Sequence, residues 1–249
     1  MKIRIFRSIK ELGQATAEHA ADELNKAIRE RGGARLLLST GASQFETLAA
    51  LRKMDVDWSK VEMFHLDEYV GLPETHKASF IRYLKERFVD GLPLRRVHFV
   101  DGTRPQETIR ELTEEIRKSP VDVGLIGIGE NGHIAFNDPP ADFDTKEAYI
   151  VVKLDERCKA QQVREGWFDS IGDVPDEAVS MTVHQIMQCR TIISAVPHRV
   201  KAEAVKAAVE SELTNEVPAT MLKRHGDVTL YLDEESSSLL DKRNIEQYA

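Results

Sequence analysis

His133 stands in a stretch suited to proton transfer, Gly127-Ile128-Gly129-Glu130-Asn131-Gly132-His133-Ile134-Ala135-Phe136-Asn137-Asp138-Pro139. An imidazole titrates near neutral pH and can accept or release a proton there. Two short polar side chains, Asn131 and Asp138, flank it, and the glycines at 127, 129 and 132 force a tight loop that a ligand can approach. Asp67 and Glu68 end an apolar run and could supply a base. A third group suits an anion. Ser39-Thr40-Gly41-Ala42-Ser43-Gln44 places hydroxyls and small residues ahead of a helical pattern, where free N–H groups and the helix dipole attract phosphate. Lys201 opens another helical stretch. Plainer explanations exist for each: an incidental histidine, an ordinary N-cap at Ser43, and a solvated lysine.

The elements that must hold these groups alternate. Lys2 to Phe6 reads as a short edge strand. Ser8 and Glu11 make a capping-box pattern for a long helix ended by Gly32-Gly33. Arg35 to Leu38 is a buried strand running into the Ser39–Gln44 loop, with a helix from about Phe45 to Met54. Val61 to Leu66 forms the next strand and presents Asp67 and Glu68 to opposite faces, which argues against a carboxylate dyad. Phe80, Leu84 and Phe88 mark a helix, Val97 to Val100 a strand, and Thr103 with Gln106 a second capping box before Ile109, Leu112 and Ile116. Val121 to Ile126 is a buried parallel strand feeding the glycine loop. Strands over Tyr149 to Leu154, Thr191 to Val196 and Asp227 to Leu232 follow, with helices at Asp155 to Arg164 and after Lys201. This cadence predicts α/β architecture: a doubly wound, mostly parallel sheet with helices on both faces, Rossmann-like, as one domain over residues 1–249. Ligands of such sheets bind at the carboxyl ends of the strands.

Composition narrows the function. The 249 residues are 41% hydrophobic and 31% charged, enough for a sizeable core. Acids exceed bases by 42 to 34, and a net charge of -8 argues against nucleic acid as a partner. A few local donors can still hold an anionic substrate. Two distant cysteines, Cys158 and Cys189, form no disulfide framework and favour a reduced, cytoplasmic setting. The amino terminus interleaves charge with apolar residues, unlike a signal peptide, and no apolar run approaches the roughly eighteen residues of a membrane span. The eight histidines show no paired metal-ligand spacing, so neither a metal nor another cofactor is expected.

Three stretches carry a family likeness: Leu66-Asp67-Glu68-Tyr69-Val70-Gly71-Leu72-Pro73, Gly129 to Asn137, and Val174-Pro175 with Ser180-Met181. Together they resemble glucosamine-6-phosphate deaminases, more loosely from about Ile5 to Leu240. The related 6-phosphogluconolactonases also carry a Gly-His pair, but the run Ile134-Ala135-Phe136-Asn137-Asp138-Pro139 favours the deaminase branch.

The resemblance implies isomerising deamination of an amino-sugar 6-phosphate, glucosamine 6-phosphate or its C4 epimer, to a ketose 6-phosphate and ammonia. By similarity Asp67 is the base at C2 and His133 opens the pyranose ring, with Asn131 orienting the imidazole and Asp138 as relay partner. Ser39, Thr40, Gly41, Ala42 and Ser43 with Lys201 would bind the phosphate, helped by an arginine, Arg164 in preference to Arg157. Ala42 and Gln44 depart from the family's usual glycine and proline. Some members are hexamers, so a homo-oligomer is compatible. Asp142, Asp144 and Glu147, against Lys146 alone, make an anionic effector after the loop unexpected. The competing readings are a lactone hydrolase, in which Asp67 has no task, and a sugar-phosphate sensor, which should bring a DNA-binding helix pair.

Overall fold

Leu36, Leu37 and Leu38 show how the molecule is layered. Leu37 packs with Phe64, Ile126, Ile192 and Leu230 on one side of a sheet, while Leu36 and Leu38 pack with Met63, Leu125, Ile193 and Tyr231 on the other. A strand buried on both faces needs apolar residues at consecutive positions, which is why this run does not alternate. The computed structural model describes residues 1–241 and 243, so the last positions of the expected 1–249 domain lie outside the described residues.

The strands are β1 (Lys2–Phe6), β2 (Ala34–Leu38), β3 (Val61–His65), β4 (Asp67–Tyr69), β5 (Arg96–His98), β6 (Val123–Leu125), β7 (Tyr149–Lys153), β8 (Glu177–Met181), β9 (Thr191–Val196) and β10 (Val228–Asp233). The helices are α1 (Ile9–Arg31), α2 (Phe45–Leu51), α3 (Phe80–Leu84), α4 (Pro105–Ile116), α5 (Glu156–Arg164), α6 (Val183–Ile186) and α7 (Ala202–Glu210). Seven strands form a wholly parallel sheet in the order β1-β10-β9-β6-β2-β3-β5. After β2 the chain moves outward to β3 and β5, then returns to β2's other side with β6. The reversal makes the β2–β6 junction a topological switch point, where α/β sheets open a crevice at the strands' carboxyl ends.

A second, antiparallel sheet of order β4-β8-β7 is not evident in the sequence pattern. Its strands are short, and β4 follows β3 after a single residue, so the two read as one run. The Tyr149 hydroxyl donates to the His65 carbonyl at 3.0 Å and ties the small sheet to the large one.

Local signals were met unevenly. The Glu11 N–H donates to Ser8 Oγ at 3.2 Å as a cap requires, but the Glu11 carboxylate accepts from the Arg7 N–H instead of closing the box on Ser8. Gly32, at φ +77°, ends α1 in the left-handed conformation that glycine adopts without strain. Thr103 does not cap α4: Pro105 takes the first helical position and Arg104 precedes it, while the Thr103 hydroxyl donates to Asp101 at 2.6 Å. None of the described helices is long and apolar enough to cross a membrane.

Candidate active site

A cleft of about 600 Å³ opens at the carboxyl ends of the parallel strands. The Ser39–Ser43 loop enters it from β2, Asp67 from the start of β4 just beyond β3, Gly127 to His133 from β6, and His198 to Lys201 from β9. Helix α5 supplies the remaining wall with Gln161, Gln162 and Arg164, and Glu165 follows at its end.

The glycine loop turns where the sequence demands it. A Cβ on Gly129 would lie 2.2 Å from the His133 ring, so only glycine lets the imidazole rest on this backbone. His133 Nδ1 lies 2.9 Å from Asp138 Oδ1, but the approach is oblique to the ring and Nδ1 has no hydrogen bond proper. Asn131 makes no hydrogen bond to the His133 ring. Its amide donates to Asp138 Oδ1 at 3.0 Å and Asp155 Oδ2 at 3.2 Å, and its carbonyl accepts from the His133 N–H at 3.1 Å. It therefore orients the imidazole through Asp138 and the backbone. Asp138 Oδ2 also accepts the Asp155 N–H at 3.1 Å. Burial alone would raise the Asp138 carboxyl, but His133, Asn131 and the Asp155 N–H more than offset this and hold it below the usual carboxylate value.

The second sheet positions the rest of the motif. Ser180 Oγ accepts the Phe136 N–H at 3.0 Å, and the Asn137 amide donates to the Ile134 and Met181 carbonyls, both at 2.8 Å. Asp67 pairs with the same Ser180 across the β4–β8 ladder.

Asp67 and Glu68 diverge as adjacent strand residues should. Asp67 faces the cleft at 5% exposure, with no hydrogen bond to its carboxylate among the described residues. Burial, and secondarily the nearby Glu68 charge, push its carboxyl well above the usual value. Glu68 points away and accepts from the Tyr69 N–H, the Ser79 hydroxyl and the Ile81 N–H. Burial still pushes it up to about 7, because those donors offset only part of the desolvation.

The anion-suited end is equally defined. Gly41, at φ +98°, shapes the loop, and its carbonyl accepts the Tyr83 hydroxyl at 2.9 Å. Ser43 is not the N-cap of α2: Gln44 holds that position without a side-chain bond, and Ser43 Oγ accepts from the Gln44 amide at 3.0 Å. The same amide donates to the Ala195 carbonyl at 3.1 Å, so Gln44 fastens the loop to β9. Ser39 Oγ is buried without a hydrogen-bond partner among the described residues. Lys201 is 5% exposed and, among the described residues, has no ion pair or hydrogen bond to its ammonium. Burial pushes its ammonium below the usual lysine value, and Glu165 and Glu130 counter this only in part. Arg164 lines the cleft and pairs with Glu130, whereas Arg157 is exposed and outside it.

Several lining residues escaped the sequence reading. Gln161 joins the Glu130 N–H, at 3.2 Å, to the Glu165 carboxylate, at 2.7 Å, and Gln162 faces the cleft beside it. Glutamines on a helix carry no motif. His198 adopts φ +82°, with its N–H donating to Asp233 Oδ2 at 3.0 Å, and swings Arg199 and Lys201 into the cleft. The signal available was a cluster of three basic or imidazole residues just after a buried strand.

A doubly wound sheet with a buried acid, an imidazole and a lysine unpaired among the described residues around its switch point defines an α/β enzyme for a small anionic substrate. The chain belongs to the glucosamine-6-phosphate isomerase/6-phosphogluconolactonase family, whose model matches residues 7–231. It is 35% identical over 242 residues to a glucosamine-6-phosphate deaminase of Exiguobacterium sibiricum, covering 96% of this chain and 93% of that one. A Streptococcus suis glucosamine-6-phosphate deaminase is also 35% identical, with 96% and 100% covered. Among solved structures, a monomeric glucosamine-6-phosphate deaminase superposes with a TM-score of 0.87 at 29% identity, covering 96% of this chain and all of that one. The 6-phosphogluconolactonase of Trypanosoma brucei shares the fold, with a TM-score of 0.78 at 17% identity and 96% and 98% covered.

Proposed function

We propose that the protein converts an amino-sugar 6-phosphate, glucosamine 6-phosphate in the first instance, to a ketose 6-phosphate and ammonia. The observation that carries this reading is Asp67: a buried carboxylate facing the cleft with no partner among the described residues, in the cleft that also holds His133 and a lysine unpaired among them. A carboxyl of raised pKa is a stronger base once ionised, and removing a weakly acidic C2 proton needs one. The ammonium of the amino sugar, bound nearby, favours the ionised form and so prepares the base. His133 takes the proton of the anomeric hydroxyl and returns it to the ring oxygen, opening the pyranose. Asp138, kept ionised, stabilises the imidazolium formed on the way. With the ring open, Asp67 removes the C2 proton, the proton is delivered to C1, and the amine at C2 leaves after hydrolysis. Lys201, Ser39 to Ser43 and Arg164 hold the phosphate, Arg164 exchanging its Glu130 partner for it. Lactone hydrolysis would leave Asp67 idle.

The partner is thus a small sugar phosphate, and two free, buried cysteines suit the cytoplasm. The deciding experiment measures ammonia release across a panel of hexosamine 6-phosphates, with 6-phosphogluconolactone as control and deuterated water as solvent. Ammonia release with solvent deuterium entering the substrate-derived carbon skeleton supports the reading. Lactone hydrolysis without ammonia overturns it.

A further inference from the structure

Behind the imidazole lies a set of donors that the proposed reaction does not fully use. A ring nitrogen of His133, a carboxylate oxygen of Asp138 and Cys158 Sγ lie within 4.8 Å of one another. All three side chains are nearly buried, Cys158 at 1% exposure. Nitrogen, oxygen and sulfur donors in one pocket suit a borderline-soft ion, whereas Mg2+ and Ca2+ favour all-oxygen sites.

The angles agree with the donor types. His133 Nδ1 is 2.9 Å from Asp138 Oδ1, yet the contact is too oblique for a hydrogen bond, leaving Nδ1 buried and unsatisfied. An ion about 2 Å from both atoms would sit on the nitrogen lone-pair axis, off the line between them. A close contact that makes no hydrogen bond is compatible with such a shared ion. The supporting contacts are also in place: Asn131 and the Asp155 N–H fix the Asp138 carboxylate, as hydrogen bonds fix ligating carboxylates generally. Burial above all, and then the Asp138, Asp155 and Asp67 charges, push the Cys158 thiol well up, so a cation must displace its proton to bind there.

We propose that His133, Asp138 and Cys158 form a capture site for a borderline-soft divalent cation, Zn2+, and that the bound ion inhibits the enzyme by occupying the imidazole. Capture involves no redox change: the thiol gives its proton to solvent, and the ion binds the thiolate, imidazole and carboxylate. Inhibition rests on the proposed role of His133, but binding does not. A second cluster, Glu62, His98 and Glu115, is less suited, because Arg35 and His98 already hold Glu62 at 2.9 and 2.8 Å and Lys118 holds Glu115 at 2.6 Å.

The test titrates metal-free protein with Co2+, a spectroscopic substitute for Zn2+, and separately measures Zn2+ inhibition. One equivalent of Co2+ should produce a thiolate charge-transfer band that Cys158→Ala abolishes. Half-inhibition by Zn2+ should move at least about tenfold higher in that variant, while Cys189→Ser leaves both readouts unchanged. Cys158→Ser, which conserves volume, replaces the alanine variant if that one does not fold. A wild-type protein without the band, or a band and inhibition that survive in the Cys158 variants, overturns the proposal. The Co2+ titration needs no turnover, so its failure is separable from failure of the deaminase reading.

Discussion

Replacing Asp67 by asparagine should separate stability from catalysis, with a pH dependence that follows from burial. The side chain is 5% exposed, lacks a hydrogen bond among the described residues and has its carboxyl raised well above the usual value. In the folded protein it keeps its proton over a range where the unfolded chain has already lost it. The Asp67 contribution to wild-type stability is therefore full below pH 3.8 and is lost as pH rises toward the folded value, by up to about 1.4 kcal/mol per pH unit. Asp67→Asn is close in size and has no proton to lose, so this slope disappears. As pH rises above 3.8 the variant should gain on wild type by up to about 1.4 kcal/mol per pH unit until the folded value is reached. At this chain length each kcal/mol gained is a relative rise in Tm of roughly 2–4 °C. Urea denaturation of both proteins at pH 5, 6 and 7 measures the gain. Ammonia release should fall about 10²–10⁴-fold at every pH. A stability difference that is flat with pH, or that shrinks as pH rises, would mean that Asp67 is ionised and paired in the free enzyme, and the argument from burial would fall.

The free-enzyme profile offers a related test: the acid limb of kcat/KM should lie above the ordinary aspartate range, and a limb near pH 4 would contradict the raised Asp67 carboxyl. Lys201→Ala should cost roughly 1.5–3 kcal/mol of substrate binding; equal losses on phosphorylated and unphosphorylated sugars would make Lys201 structural. His133→Asn should slow turnover of the closed ring far more than that of an open-chain analogue, and equal losses would place the imidazole at another step. Gly129→Ala puts a methyl 2.2 Å from the His133 ring, so activity should drop at least about tenfold as the ring is displaced, with circular dichroism unchanged; full activity would show that the ring need not rest there.

Much of this architecture could be read from the chain because burial on both faces leaves a plain mark. Leu36 to Leu38 and Thr191 to Val196 are apolar throughout or nearly so, and helices separate such runs at regular intervals. The opposed directions of Asp67 and Glu68 followed from strand geometry alone. The small sheet was hidden because β4 spans three residues and pairs with β8, which is distant in sequence. Thr103 looked like a cap until Pro105 took the first helical position, a competition between two sound signals. The cleft's α5 wall was unreadable for a different reason. Gln161 and Gln162 gain their meaning from where the helix docks, and Arg164 could be told from Arg157 only once the helix face was known.

Ser180 has a mechanical consequence. Its backbone pairs with Asp67 across the ladder, while its hydroxyl accepts the N–H of Phe136, three residues beyond His133. Asp67 and the imidazole loop are thus tied to one residue, and motion that carries one carries the other. Compliance in the cleft is left to the opposite jaw, where exposed Arg164 is held by a surface ion pair that contributes about 0–1 kcal/mol. In the proposed reaction, the grip on the phosphate tightens there while the spacing of Asp67 and His133 stays fixed.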